Sequence, residues 1–360
     1  MRTLLLLLVA RAAPLSIGRP LSIEAKHVAF AVRQQSVLAR LTYASSASHD
    51  AAATSKQPLV VFLSGADVPH ERYAWLAEAL ARRGVACCLS SCAQEFGGAT
   101  CLLSLPYDLA RLASEGAYRE AAPTAESLRI LLDALRATDA PVDYEKVVLG
   151  GHSSGGRAVL DVVGFGSARD FPEVVGAFSY GASTVNGPGS PLGEGTCLDF
   201  DKSRGAGVPL ILLGGDRDGI SAALSADGDA TETVRRTLKA AKAGKAAVDV
   251  LVFEGANHMA VADPADVPCG ATANDWSAAP GFDVLAFQRG VADVAAALAS
   301  GALDSYATDV FDDEPNCRET SPLFASPNLF STPHVGAATR EAQDNVAVLI
   351  ADRVMDVVGA

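Results

Sequence analysis

The chain has 360 residues, 49% of them hydrophobic, with 29 basic against 42 acidic side chains for a net charge of −13. That length and apolar content suffice for a large buried core, and the length alone favours two domains. The acidic balance, with no basic patch interleaved with aromatics, argues against a nucleic-acid partner, and no apolar run reaches transmembrane length.

In chain order, Met1-Arg2-Thr3 precedes an apolar run from Leu4 to Ala10, and Ala10-Arg11-Ala12 offers a small-residue cleavage site. Residues 1–49 hold six basic residues (Arg2, Arg11, Arg19, Lys26, Arg33, Arg40) against one acidic, Glu24, a bias that also suits an organelle transit segment. Residues 1–22 are therefore read as a targeting segment. Its destination is the secretory pathway or an organelle such as the plastid; without it the chain belongs in the cytoplasm. The competing reading makes residues 24–45 the first strands of the fold, since His27 to Val32 and Val37 to Tyr43 have strand composition.

Pro58 to Leu63 is a strand, followed by the loop Ser64-Gly65-Ala66-Asp67, and Tyr73 to Gly84 is the first helix. Seven cysteines are present. Cys87 and Cys88 end a strand as small buried apolar residues. Cys88-x₃-Cys92 has no second pair at metal spacing, so no metal site is expected. Disulfides Cys92–Cys101 or Cys197–Cys269 are open if the chain is exported. Pro123 to Ala137 is an amphipathic helix with proline in its first turn and Leu128, Leu131, Leu132 and Leu135 on one face.

Then comes the most informative stretch. Val147-Val148-Leu149 runs into Gly151-His152-Ser153-Ser154-Gly155. This is G-x-S-x-G directly after a strand and before a helix, the pattern of a nucleophile elbow. Glycines on either side keep Cβ atoms out of a crowded turn, so the serine Oγ points off the carboxyl edge of the sheet. The Ser154 amide can then face an oxyanion, with the Ala66 amide as second donor. His152 faces away from Ser153 and is read as a packed histidine.

Val174 to Tyr180 is the next strand, and loops of 182–207 and 263–281, the second with Trp276, are candidates to line a pocket. Val208 to Leu213 ends in Gly214-Gly215-Asp216-Arg217-Asp218-Gly219, and Val248 to Phe253 ends in Glu254-Gly255-Ala256-Asn257-His258. Both candidates lie just past strands, where chemistry collects in open α/β sheets. The order Ser, Asp, His is the one this elbow demands. Ser153 is the nucleophile, His258 the base and Asp218 the acid that orients it. Asp216 is the alternative acid; Asp218 is preferred because Gly215-x-x-Asp218 leaves room for a turn before the carboxylate.

With these motifs over residues 24–285, the chain resembles the α/β-hydrolase superfamily, in particular its chlorophyllase-like and dienelactone-hydrolase-like esterases. The resemblance rests on Val-Val-Phe-Leu-Ser-Gly, Gly-His-Ser-Ser-Gly-Gly, Gly-Gly-Asp-Arg-Asp-Gly and Gly-Ala-Asn-His. The family usually has His-Gly where this chain has Ser64-Gly65. The resemblance implies a mostly parallel sheet with helices on both faces, and hydrolysis of a small-molecule or lipid ester through an acyl-enzyme, without a cofactor. A catalytically inactive binding module on the same fold is the alternative.

A second resemblance lies at the other end. Asp309-Val-Phe-Asp-Asp-Glu314-Pro followed by Thr332-Pro333-His334-Val-Gly336-Ala is similar to the last segment of the D-2-hydroxyacid dehydrogenases, most closely the D-3-phosphoglycerate dehydrogenases. By that resemblance Glu314 and His334 would be the family's acid–base pair, and Arg289-Gly290 an imperfectly spaced third element. A nicotinamide site needs a strand, G-x-G-x-x-G and a helix, and the chain has no such unit. Its division is accordingly read as a targeting segment (1–22), a hydrolase domain (23–302) and a dehydrogenase-like fragment (303–360). The fragment is read as the product of a fusion or a misjoined reading frame, with a retained partner-binding tail as the alternative. A dehydrogenase assignment would rest on that fragment alone. Its last helix, Thr339 to Val358, would carry Val346, Leu349, Ile350, Val354 and Val358 at helical spacing.

Overall fold

The computed structural model describes residues 22–32, 35–45, 56–65, 68–90, 122–164, 171–182, 185–186, 195–196, 208–223, 225, 227–243, 248–265, 275–301, 306–308 and 329–331. Two compact units divide the chain: Ile17–Gly301, and Ala302–Ala360 together with Met1–Ser16.

The larger unit is built on an eight-stranded sheet. Strands β1 (Ser22–Val32) and β2 (Gln35–Ser45) form an antiparallel hairpin, and β2 pairs antiparallel with β4 (Ala86–Ser90). From β4 the sheet is parallel through β3 (Gln57–Leu63), β5 (Val142–His152), β6 (Val174–Tyr180), β9 (Leu210–Gly215) and β10 (Val248–Phe253). The spatial order is β1-β2-β4-β3-β5-β6-β9-β10. The short strands β7 (Val185–Asn186) and β8 (Gly195–Thr196) pair apart from it.

The central strands read as unbroken apolar runs because both faces are covered. On β3, Leu59, Val61 and Leu63 enter the core beneath α2 (Ala122–Arg136), α3 (Ser154–Gly164) and α5 (Glu232–Ala243). The alternate residues Val60 and Phe62 are equally buried, on the side where α1 (Ala74–Ala81) and α6 (Val284–Ser300) pack. The alternation follows from the two-residue period of a strand. Each fully buried Leu or Phe contributes about 1.5–3 kcal/mol. Between β9 and α5 lies a short helix, α4 (Gly219–Ala223).

Differences from the sequence expectations are local. The strands take up 24–32 and 35–45, and β1 begins at Ser22, five residues before the expected start at His27. Pairing with β2 supplies what Glu24-Ala25-Lys26 lack in strand propensity: Tyr43 Oη donates to Glu24 Oε2 at 3.0 Å. Residues 1–21, which hold nearly all of the expected targeting segment, lie outside the described residues. The first helix is entered by a 3₁₀ turn, His70–Tyr73. Its α-helical part stops at Ala81, and Gly84 at φ 74° turns the chain into β4. Asp283 caps α6 by accepting the Ala286 amide at 2.9 Å, and Gly301 ends it at φ 68°. In the smaller unit, β11 (Tyr306–Thr308) pairs parallel with β12 (Leu329–Ser331). The helix expected over 339–358 lies outside the described residues.

Candidate active site

Strand β5 ends at His152 and helix α3 starts at Ser154, so Ser153 alone makes the turn between them. Its φ is 52°, the one positive value at a non-glycine among the described residues. Such a conformation costs an ordinary side chain of order 1–3 kcal/mol and persists only where surroundings impose it. Here they do. The Ser153 amide donates to Tyr180 O at 2.9 Å, and the Arg157 amide donates to Ser153 O at 2.8 Å. A Cβ on Gly151 would lie 2.4 Å from the Gly155 carbonyl carbon, and one on Gly155 would lie 2.2 Å from Leu63 O. Both positions therefore require glycine, as the sequence motif implied.

Asp218 and His258, the expected acid and base, lie on the loops after β9 and β10. His258 Nδ1 lies 2.8 Å from Asp218 Oδ2, and each side chain is 1% exposed. Asp218 Oδ1 accepts the Ser221 amide at 2.7 Å, so the carboxylate also caps α4. Since a carboxylate only accepts, Nδ1 carries the proton and Nε2 is the free base. His258 Nε2 is buried and takes no hydrogen bond among the described residues, the Ser153 hydroxyl included. Such bonds commonly tighten only with substrate in place. The pair packs over Gly181, where a Cβ would lie 2.9 Å from His258 Nδ1 and 3.1 Å from Asp218 Oδ2. Gly181 follows Tyr180, whose carbonyl holds the Ser153 amide, so the backbone of Ser153 and the side chains of Asp218 and His258 all meet the end of β6.

Asp216 has different work. Its Oδ1 accepts the Gly255 amide at 2.7 Å, tying the β9 loop to the β10 loop. His152 is fully buried. Its Nε2 donates to the His258 carbonyl at 3.0 Å, which leaves Nδ1 to accept the Tyr73 hydroxyl at 2.8 Å. Tyr73 Oη in turn accepts the Gly65 amide at 3.1 Å. This chain of bonds ties the loop after β3 to the backbone of His258. Burial, with the charge of neighbouring His258, drives the His152 pKa well below the ordinary value, so it stays neutral.

His258 shifts the other way. Burial opposes its charged form, but the Asp218 carboxylate, by charge and hydrogen bond, and the Asp275 charge raise its pKa above the usual 6.5. Asp275 was not read from the sequence. It lies in the 263–281 loop, and its carboxylate accepts amides from Gly219 at 3.0 Å and Met259 at 3.1 Å. Next to it, Trp276 O accepts Asn257 Nδ2 at 2.8 Å, and Trp276 as a whole is 44% exposed. Nothing in local spacing marks Tyr73, His152 or Asp275, whose partners named above lie 8 to 106 residues away.

Of the other expected site residues, Ser154 opens α3, where first-turn amides have no partner within the helix. Ala66, Glu314, His334 and the cysteines at 92, 101, 197 and 269 lie outside the described residues, as does most of 182–207. Cys87 and Cys88 are buried free thiols. Among the described residues no group of three or more His, Cys, Asp or Glu could hold a metal, and no helix is long and apolar enough to cross a membrane.

The fold is that of the α/β hydrolases. The chain superposes on a dienelactone hydrolase-like promiscuous phosphotriesterase from metagenomic libraries with a TM-score of 0.50 and 19% identity, over 77% of this chain and 98% of that one. By sequence the matches fall elsewhere. The profile of the D-isomer-specific 2-hydroxyacid dehydrogenase NAD-binding domain matches residues 291–336. Glyoxylate/hydroxypyruvate reductase B of Klebsiella pneumoniae subsp. pneumoniae is 39% identical over 61 residues, covering 17% of this chain and 19% of that protein. D-3-phosphoglycerate dehydrogenase of Escherichia coli strain K12 is 40% identical over 83 residues, 21% of this chain and 20% of that protein. The chain thus spans about a fifth of the length of these curated relatives. The profile match starts at Val291, inside α6, whose residues Val291, Ala292, Val294, Ala295 and Leu298 are buried. Gly176 of β6 abuts Leu298, at 2.9 Å for a Cβ built there. Ten residues of the dehydrogenase match therefore serve as helix packing on the hydrolase sheet.

Proposed function

We propose that the protein is a serine hydrolase that cleaves a carboxylic ester, of a small molecule or a lipid, through an acyl-enzyme. The observation that carries this reading is the buried Asp218–His258 pair beside a serine held at positive φ. Ser153 Oγ attacks the carbonyl carbon while His258 Nε2 removes its proton. The Asp218 carboxylate holds the imidazole in the Nδ1–H tautomer and stabilises the imidazolium that forms. The amides of Ser154 and Ala66 receive the oxyanion. His258 then protonates the leaving alcohol, and the same nitrogen activates the water that releases the acid. No step calls for a cofactor.

Turnover of a short-chain p-nitrophenyl ester tests the reading. Wild-type chain should show it, and Ser153→Ala should lose on the order of 10⁴-fold or more with the fold intact. A folded wild type without turnover on any ester would make the protein a binding module on a hydrolase fold.

A dehydrogenase reading draws on the match over 291–336 alone. NADH titration into the full chain should give no saturable fluorescence change. We read 303–360 as a dehydrogenase-like fragment appended to the hydrolase, and residues 1–22 as a targeting segment.

A further inference from the structure

We propose that Asp275 is a positioning residue of this site, a second carboxylate that clamps the loops of Asp218 and His258 together and stabilises the imidazolium. The proposal rests on the serine-hydrolase reading for its catalytic consequence. Its geometric basis is specific. Besides the amide of its neighbour Trp276, Asp275 accepts those of Gly219 and Met259, the residues that immediately follow the acid and the base. One oxygen serves each loop: Oδ1 takes Gly219 N–H at 3.0 Å and Oδ2 takes Met259 N–H at 3.1 Å. Asp275 therefore fixes the distance between two loops 40 residues apart, across which Asp218 and His258 make their 2.8 Å contact. A residue away, Trp276 O holds Asn257, so the segment grips the base from both sides in sequence.

An asparagine at 275 could not do this. It has one acceptor oxygen, and its amino group would face an amide hydrogen. Nor would it carry the charge. Among the described residues, the groups that face His258 are few. Asp218 lies on the β9 loop and Asp275 on the clamp. The His152 ring, from the end of β5, sits with its centroid 4.8 Å from that of His258 and stays neutral. Tyr180, from the end of β6, keeps its proton because burial raises its pKa, and it donates to Asn257 O at 2.5 Å. The negative charge around the developing imidazolium is therefore that of the two carboxylates. Asp218 supplies it along a hydrogen bond, and Asp275 through space. Burial also raises the Asp275 pKa, with the His258 charge opposing and Asp218 adding to the rise. The clamp weakens as pH falls and this carboxylate takes up a proton.

The test is an NMR titration of the His258 imidazole in the full chain, which needs no turnover, alongside the pH profile of p-nitrophenyl ester hydrolysis. Asp275→Asn should lower the His258 midpoint on the order of one unit, the scale of a nearby opposite charge. The acid limb of kcat/KM should move in the same direction, and the plateau kcat should fall by roughly 10- to 100-fold with KM little changed. Asp275→Glu, which restores the charge, should recover the midpoint. A folded Asp275→Asn with an unmoved midpoint would overturn the proposal, and so would a Glu variant that drops as far as the Asn variant. Should Asp275→Asn fail to fold by near-ultraviolet circular dichroism, the midpoint in Asp275→Glu decides alone. A shifted midpoint in a chain that hydrolyses no ester would retain the clamp and remove the hydrolase reading instead.

Discussion

The elbow and the loops of Asp218 and His258 are held by different physical means. Ser153 is set by its immediate neighbours. Gly151 and Gly155 pack against each other and against β3, and every contact that forces φ to 52° comes from the end of a strand or the first turn of α3. Asp218 and His258 are set from a distance. Asp216 holds Gly255, Asp275 holds Gly219 and Met259, and His152 holds the His258 carbonyl. A serine placed by steric exclusion tolerates no added atom around it. A histidine placed by hydrogen bonds from two loops and a strand end can be adjusted one bond at a time.

Substitutions can break this contrast in graded steps. Asp218→Asn should reduce ester kcat by about 10⁴-fold, because an amide selects the wrong His258 tautomer. Asp216→Asn keeps an acceptor oxygen for the Gly255 amide and loses only the charge behind that bond, so it should cost no more than about 1 kcal/mol of stability. Parallel kcat and denaturant-midpoint measurements on the two variants read this, and a larger catalytic loss in Asp216→Asn would transfer the acid role to it. Gly155→Ala should destabilise by about 3 kcal/mol, the upper end for overpacking, since the obstacle is backbone; a chemical denaturation curve unchanged from wild type would contradict the elbow account.

A gentler probe is pH. Because carboxylates raise the His258 pKa, the acid limb of kcat/KM should have its midpoint above the usual 6.5. A limb at or below that value would mean that burial wins over the two carboxylates. The stability contributions of the two histidines have opposite signs. That of His258, whose folded pKa is raised, is full below 6.5 and is lost as pH rises through the folded value. That of His152, whose folded pKa is depressed, is full above 6.5 and is lost as pH falls towards the folded value.

The smallest expected effect is at the other end. Truncation after Ala302 should leave ester turnover and the melting temperature nearly unchanged, as read by p-nitrophenyl ester assay and calorimetry. A truncated chain without activity would make residues 303–360 a working part of the hydrolase.

What the sequence disclosed follows the same division. The elbow was legible because its determinants span a few residues: a β-branched run, two glycines and a serine. The parallel sheet was legible because strands buried on both faces must be apolar throughout, as Pro58 to Leu63 and Val208 to Leu213 are. The choice between Asp216 and Asp218 rested on turn length alone, because the residues that separate their roles, Gly255 and His258, lie 39 and 40 positions away. Asp275 escaped notice for that reason. Its ligands are backbone amides, which every residue has and no motif records. Helix α6 misleads in the opposite sense. Its last turns match a dehydrogenase profile, yet an Ala- and Val-rich amphipathic helix packs as readily on this sheet as on another.

The central claim is that Ser153 is a nucleophile activated by His258. Incubating the full chain with a fluorophosphonate and mapping the adduct by peptide mass spectrometry tests it most directly. The account predicts one adduct, on the Ser153 peptide, lost in His258→Ala and slowed in Asp218→Asn. An unlabelled chain, a label on another serine, or equal labelling of Ser153 without His258 would contradict it.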